Sequence, residues 1–161
     1  LASVTGGKNN SWVNATLANQ LALYVTLYSP LQMAADLPEH YEQFMDAFQF
    51  IKDVDIDWIQ SKYLLAEPGE YVVIARQGKK NGQWFCGGVT DDQKRTLEVP
   101  MNFLEAGKTY EATIYADAED ADYKENPQAY KIWKQNVTSE DVLSMTMARG
   151  GGFAISFAEM N

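Results

Sequence analysis

The chain has one cysteine and one histidine in 161 residues. With Cys86 alone, no disulfide can close within the chain. With His40 alone, ordinary zinc sites are excluded, because they draw on several His or Cys ligands. A Ser-His-Asp triad would have to be built on His40, in a proline-flanked loop with no nucleophile elbow nearby. No run of five or more basic residues exists and the net charge is −9. Nucleic acid and anionic membrane are therefore poor partners. No apolar run reaches the ~18–20 residues of a membrane span. The first residues also lack the basic start and cleavage site of a secretory signal. The chain opens at Leu1, soon followed by GGKNN. This start is expected of a piece cut from a longer protein, with any export signal on another part.

What is present is a globular composition. Apolar residues make up 46%, enough for a core. The length is about one domain's worth on a scale of ~100–200 residues. Aromatic residues reach 12%, with nine Tyr and four Trp. Those side chains suit strands and carbohydrate contact equally.

The front of the chain reads as helical. Ser11 or Asn14 can cap a helix, since their side-chain oxygens accept from an orphan N–H. Leu17, Leu21, Tyr24 and Tyr28 follow at helical spacing, and Pro30 ends the run. The other sides carry Ala18, Ala22 and Leu27, so the helix should be buried on more than one face. Leu31 to Ala35 reads as a short buried strand, then Asp36 to Glu39 as a loop. A second helix is expected from Phe48 to Val54. Helix, strand, loop, helix is what a slice of an α/β barrel or doubly wound sheet looks like.

From Tyr63 the period becomes two. Tyr71–Ala75, Trp84–Cys86, Arg95–Val99, Thr109–Ala116, Gln128–Val137, Val142–Met147 and Phe153–Phe157 read as strands. Asn81-Gly82 marks a hairpin and Arg149 to Gly152 another turn. Seven or eight short strands predict an antiparallel sandwich. The boundary between the halves falls near Asp57-Trp58, giving units of 1–57 and 58–161.

The stretches TLANQLALYVTLYSPLQMAADLPEHY, FQFIKDV, PGEYVVIARQ, FLEAGKTYEATIYADAEDADYKENPQAY and GGGFAISF run in this order from about Asn14 to Phe157. Together they resemble glycoside hydrolase family 97, the Bacteroides-type α-glucosidases and α-galactosidases. DVDIDW departs from that pattern where a proline is expected near Asp55. The resemblance implies an N-terminal β-sandwich, a catalytic (β/α)8 barrel and a C-terminal β-sandwich. The expected fold is mainly β: an antiparallel sandwich preceded by the last helix-strand-helix elements of the barrel. The family's catalytic carboxylates and calcium-binding glutamates map onto no residue of this chain. Calcium is thus implied for the parent and no metal for the chain, and the resemblance implies a periplasmic or exported enzyme.

Several side chains could still serve a site. Asp36, at the end of the expected barrel strand, and Glu39 would lie on the substrate face. Asp36 also fits an Asx turn before Pro38. The two are too near in sequence to oppose each other across a glycosidic bond, where ~5–9.5 Å separates the carboxyls. Trp84 and Trp133, with Tyr115 and Tyr130, could stack on sugar rings, or simply fill a core. Asp53, Asp55 and Asp57 alternate like some hard-cation ligands but lack the glycine and distal Glu of a calcium loop, so a solvated linker fits them. The acidic stretch Asp117 to Glu125 reads the same way. Asn9, Asn14 and Asn136 begin glycosylation triplets that carry no weight with a bacterial resemblance.

Two functions follow. In the first, the chain is the C-terminal region of an α-glycosidase acting on terminal α-linked glucose or galactose of an oligosaccharide. It would be inactive alone, brace the missing catalytic barrel and support oligomers through Leu17 to Ala35 or through the sandwich. In the second, it is a free-standing sandwich that binds carbohydrate or protein. Without barrel neighbours, the front segment should either self-associate or fold back onto the sandwich.

Overall fold

Residues 15–27 and 44–161 are described by the computed structural model. Two helices come first, α1 (Leu17–Thr26) and α2 (Met45–Asp53). Eight strands follow: β1 (Trp58–Glu67), β2 (Tyr71–Gly78), β3 (Trp84–Thr90), β4 (Arg95–Pro100), β5 (Tyr110–Asp117), β6 (Tyr130–Val137), β7 (Val142–Met147) and β8 (Gly152–Glu159). Six of them form one antiparallel sheet in the order β1-β2-β3-β8-β5-β6, while β4 and β7 form a second.

Period-two patterning explains the sandwich. Successive side chains of a strand point to opposite faces. Along β7, Leu143, Met145 and Met147 are buried while Val142, Ser144 and Thr146 are exposed. Across the large sheet, Ala75, Cys86, Ile155 and Ile114 lie in one register row, and Trp133 extends it onto β6. That row packs with Val99 of β4 and the inward side chains of β7 into one core. The turn between β2 and β3 forms where Asn81-Gly82 predicts it, with the Gly78 N–H donating to Gln83 O at 2.9 Å.

The other face of the large sheet carries the helices. Phe85, Tyr115 and Ala154 form a second core with Leu17, Leu21 and Val25 of α1 and Phe50 of α2. Phe50 meets the rings of Phe85 and Tyr115 edge-on, at 6.1 and 5.3 Å between centroids. No residue of α1 is exposed. This is the outcome expected of a helix apolar on all sides. The molecule therefore has three layers: helices, a six-stranded sheet and a two-stranded sheet.

Several boundaries differ from the sequence-based expectation. The N-cap of α1 is Thr16, whose side chain accepts from the Asn19 N–H, rather than Ser11 or Asn14. The helix ends at Thr26, short of Tyr28. Helix α2 starts at Met45, three residues before Phe48. Strand β1 begins at Trp58 rather than Tyr63, because exposure along most of its length hides its alternation. Asp36, Glu39, His40 and the Leu31 to Ala35 strand lie outside the described residues.

Candidate functional site

The seam between helix and sheet is the most elaborately built part of the molecule. It starts with a close approach. A Cβ added at Gly87 would sit 2.9 Å from Ala22 O and 2.9 Å from the Val25 Cβ. Glycine inside a strand permits such an approach of another backbone. Alanines at 18 and 22 do the same from the helix side, both fully buried.

Three bonds hold the N-terminal end of α1. The Thr16 N–H donates to Gly150 O at 3.0 Å and the Leu17 N–H to Pro127 O at 2.7 Å. The Asn19 amide donates to Gly151 O at 2.9 Å. The first two satisfy backbone donors at the helix end that have no partner within the helix, and the third is a side-chain bond. The receiving turn is itself pinned by Asp117. One oxygen of its carboxylate accepts from the Ala148 N–H at 2.8 Å and the Gly152 N–H at 2.9 Å. Asp117 is only 5% exposed, so it is no part of a solvated acidic run. Burial raises its carboxyl above the ordinary value, and the Thr16 side chain and the two N–H groups oppose this without cancelling it.

Arg76 holds the other end. It is 2% exposed, donates to Thr26 O at 3.4 Å and Leu27 O at 3.5 Å, and lies over the Trp58 ring. A cation at a helix C-terminus also complements the macrodipole. Helix α2 is tied to the sheet by the Tyr130 hydroxyl, which donates to Asp46. Burial and the Asp46 carboxylate push the Tyr130 phenol up to about 12.

The alternating aspartates have work of their own. Asp55 accepts from the backbone N–H groups of Lys80 at 2.7 Å and Ile56 at 2.8 Å. Burial tends to raise its carboxyl, but the backbone N–H groups of Lys80, Asp57 and Ile56 hold it below the ordinary value. Asp57 pairs with Lys79 at 3.1 Å. The DVDIDW segment is thus solvated, with Asp53 and Asp57 exposed as expected of a linker, and Asp55 in addition braces it to the β2–β3 turn.

Trp84 and Trp133 share the sandwich-facing side of the large sheet but lie on different strands. Trp84 is 7% exposed, with the Phe103 ring centroid 5.2 Å from its own and Lys62 Nζ at 5.5 Å from its ring. Trp133 is partly buried and donates to Gln135 at 2.9 Å. Tyr115 and Tyr130 face the helices instead. Trp84 lines a cleft of about 350 Å³ together with Gln77, Gln83, Glu105, Tyr110 and Glu159. Two glutamates in a cleft invite comparison with a glycosidase pair. Here Lys108 stands between them, 2.8 Å from Glu105 and 3.0 Å from Glu159, where the scissile bond would have to lie. Hydrogen bonds to Glu105 and Glu159 in turn raise the Lys108 ammonium above its usual range.

Among the described residues, no cluster of three or more His, Cys, Asp or Glu side chains converges on a metal position. These residues do not make a calcium site. No described helix is long and apolar enough to cross a membrane. The arrangement is built to hold elements together, with two locks and a close-packed seam.

A family model described as the glycosyl-hydrolase 97 C-terminal, oligomerisation domain matches residues 57–158. A retaining alpha-galactosidase of Bacteroides thetaiotaomicron is 36% identical over 140 residues, covering 87% of this chain and 20% of the relative. A probable retaining alpha-galactosidase of Streptomyces bingchenggensis is 32% identical over the same shares. A glycoside hydrolase family 97 enzyme of Pseudoalteromonas sp. strain K8, solved in complex with acarbose and with panose, is 48% identical with a TM-score of 0.90. That match covers 92% of this chain and 23% of the solved one. The chain thus spans about a fifth of the length of the proteins it matches.

Proposed function

Because this chain belongs to the glycosyl-hydrolase 97 C-terminal, oligomerisation family, we propose that it serves as the C-terminal bracing and association module of an α-glycosidase. The whole enzyme would remove terminal α-linked glucose or galactose from oligosaccharides. Both sugars stay in the proposal because the curated relatives are α-galactosidases and the Pseudoalteromonas enzyme binds panose and acarbose. The observation that carries the reading is the seam. Of the two helices preceding the family-matched segment, α1 is locked onto its sheet at both ends by Asn19, Arg76 and the turn pinned by Asp117, and α2 is tied to it through Tyr130 and Asp46. Such locks suit a module that must transmit position to whatever precedes it, and glycosidic cleavage needs an opposed carboxyl pair that the Lys108-bridged glutamates do not supply.

In this reading, calcium and the catalytic carboxylates are held by other parts of the enzyme, in the periplasm or outside the cell. Asp36 and Glu39 are candidates to face the substrate there. The test uses the 161-residue chain. Light scattering should give a multiple of the 18.1 kDa chain mass. Nitrophenyl α-glucoside and α-galactoside, with calcium present, should remain intact. Turnover by the chain alone would overturn the reading, as would a strictly monomeric mass at high concentration.

A second reading, a glycan-binding module, is favoured by one feature, the cleft walled by Trp84 and Tyr110. Chemical-shift changes confined to that cleft on adding maltose or melibiose would support it.

A further inference from the structure

We propose that the cleft beside the β2–β3 turn is a saccharide-binding site, taking one or two rings of the uncharged, α-linked sugars that the whole enzyme would act on. The choice of sugar rests on the α-glycosidase reading above. The site itself rests on what lines the cleft.

Two aromatic side chains reach it with their polar ends unused. Buried indole N–H and phenol O–H groups usually find a partner. Trp133 donates to Gln135 and Tyr130 to Asp46. Trp84 and Tyr110 are buried more deeply, at 7% and 5% exposed. Yet neither the Trp84 Nε1–H nor the Tyr110 hydroxyl has a hydrogen-bond partner among the described residues. Neither atom is sealed from solvent. Both residues line the cleft, so their polar ends meet water there.

The walls around them are already fixed, which spares a ligand the cost of ordering them. Gln77 donates to Gly82 O at 3.0 Å and accepts from Gln60 at 2.8 Å. Asn81 accepts from the Gln83 N–H at 3.1 Å. The side-chain amide nitrogen of Gln83 has no partner among the described residues and adds a third donor. Glu105 and Glu159 supply acceptors, held in place by Lys108 at 2.8 and 3.0 Å.

Charge decides against an ion. The two carboxylates are matched by two ammonium groups, Lys108 between them and Lys62 over the Trp84 ring. A balanced site favours neither an anion nor a cation. An indole N–H only donates and a carboxylate only accepts, so the fitting ligand is neutral and has groups that do both. Sugar hydroxyls do both, and the C–H face of a pyranose packs against aromatic surface such as Trp84, Tyr110 and Phe157. The volume of about 350 Å³ is at the small end for ligand sites, which run from ~300 to 1,000 Å³. It suits a mono- or disaccharide rather than a longer chain.

The test is a proton–nitrogen NMR titration of the 161-residue chain, read at the Trp84 indole N–H and assigned by its loss in Trp84→Phe. Maltose or melibiose should move that resonance to saturation, with a Kd of about 1–10 mM, as a few hydrogen bonds at an open surface would give. Tyr110→Phe and Gln83→Ala, with spectra that report their folding, should each weaken binding roughly three- to tenfold by removing one donor. Trp133→Phe should bind as wild type does. Sodium phosphate and ethylamine, at matched ionic strength, should leave the resonance unmoved. The proposal is overturned if neither disaccharide gives a saturating shift, or if both cleft variants bind like wild type. It is equally overturned if phosphate or ethylamine moves the resonance as strongly as the sugars. Such a failure leaves the bracing reading intact, because that reading is tested by the mass of the chain and its lack of turnover. Turnover by the chain alone would sink the bracing reading and not the cleft.

Discussion

Substituting Gly87 by alanine tests the close approach of helix to sheet. The new Cβ would lie 2.9 Å from Ala22 O, 2.9 Å from Val25 Cβ and 3.4 Å from Thr26 Cγ2. Carbon atoms settle at about 3.5–4.0 Å, so α1 would have to lift by roughly 0.5–1 Å. A gap of that size forfeits about a quarter to a half of each contact's attraction. It would act on the face where Leu21, Ala22 and Val25 are buried. Overpacking of this kind costs about 1–3 kcal/mol. Alanine returns roughly 0.5–1 kcal/mol of chain entropy relative to glycine in a strand. The net expectation is a loss centred on about 1 kcal/mol. Urea unfolding followed by tryptophan fluorescence reads it as a lower midpoint at unchanged slope. A midpoint equal to wild type would refute the packing argument, because the two locked ends of α1 leave it little room to move aside.

Asp117 makes a prediction with a definite sign. Its folded carboxyl lies above the ordinary value of 3.8. Its contribution to stability is therefore present below 3.8 and lost as pH rises through the folded value. Asp117→Asn should gain on wild type as pH climbs above 3.8, and a parallel pH dependence of the two proteins would contradict this. Asp117→Ala strands the N–H groups of Ala148 and Gly152 and should cost roughly 2–4 kcal/mol by thermal or urea unfolding. Arg76→Met keeps the apolar stem but removes the donors to Thr26 and Leu27. It should cost about 1–3 kcal/mol, visible as a lower urea midpoint. Cys86 is fully buried and its thiol is pushed up by burial. Modification by a thiol reagent should follow unfolding, and rapid labelling of the native chain would show the core to be open.

Much of the sandwich is legible in the sequence because β7 keeps one wet and one dry face, while β2, β3 and β8, covered on both sides, read as short apolar runs bounded by turn signals. β7 alternates cleanly, and in β5 the expected set Tyr110, Ala112, Ile114 and Ala116 is the one that faces the sandwich core, although Tyr115 on the other face is buried too, under the helices. β1 escapes because exposure on both faces removes the alternation that marks a strand. Asp117 escapes for a different reason. It opens an acidic stretch and looks solvated, yet a turn 31 residues later supplies the N–H groups that pay for its burial. Thr16 displaces Ser11 and Asn14 as cap because distant carbonyls, Gly150 and Pro127, fix where the helix begins. Tertiary partners of this kind leave no local mark. Gly87 did leave one, since it and Gly88 stand inside a strand, and glycine there is a known sign of close backbone approach. Of the expected site residues, Trp84 and Trp133 fall on the sandwich side of the sheet, and Asp36 and Glu39 lie outside the described residues.

The account holds that α1 and the sandwich form one cooperative unit, and residue-resolved amide exchange addresses that claim most directly. The amides of Leu21 to Val25 should open with the same free energy as those of Ile114 and Ile155 in the central strands. Rapid exchange along α1, with the strands still protected, would contradict it.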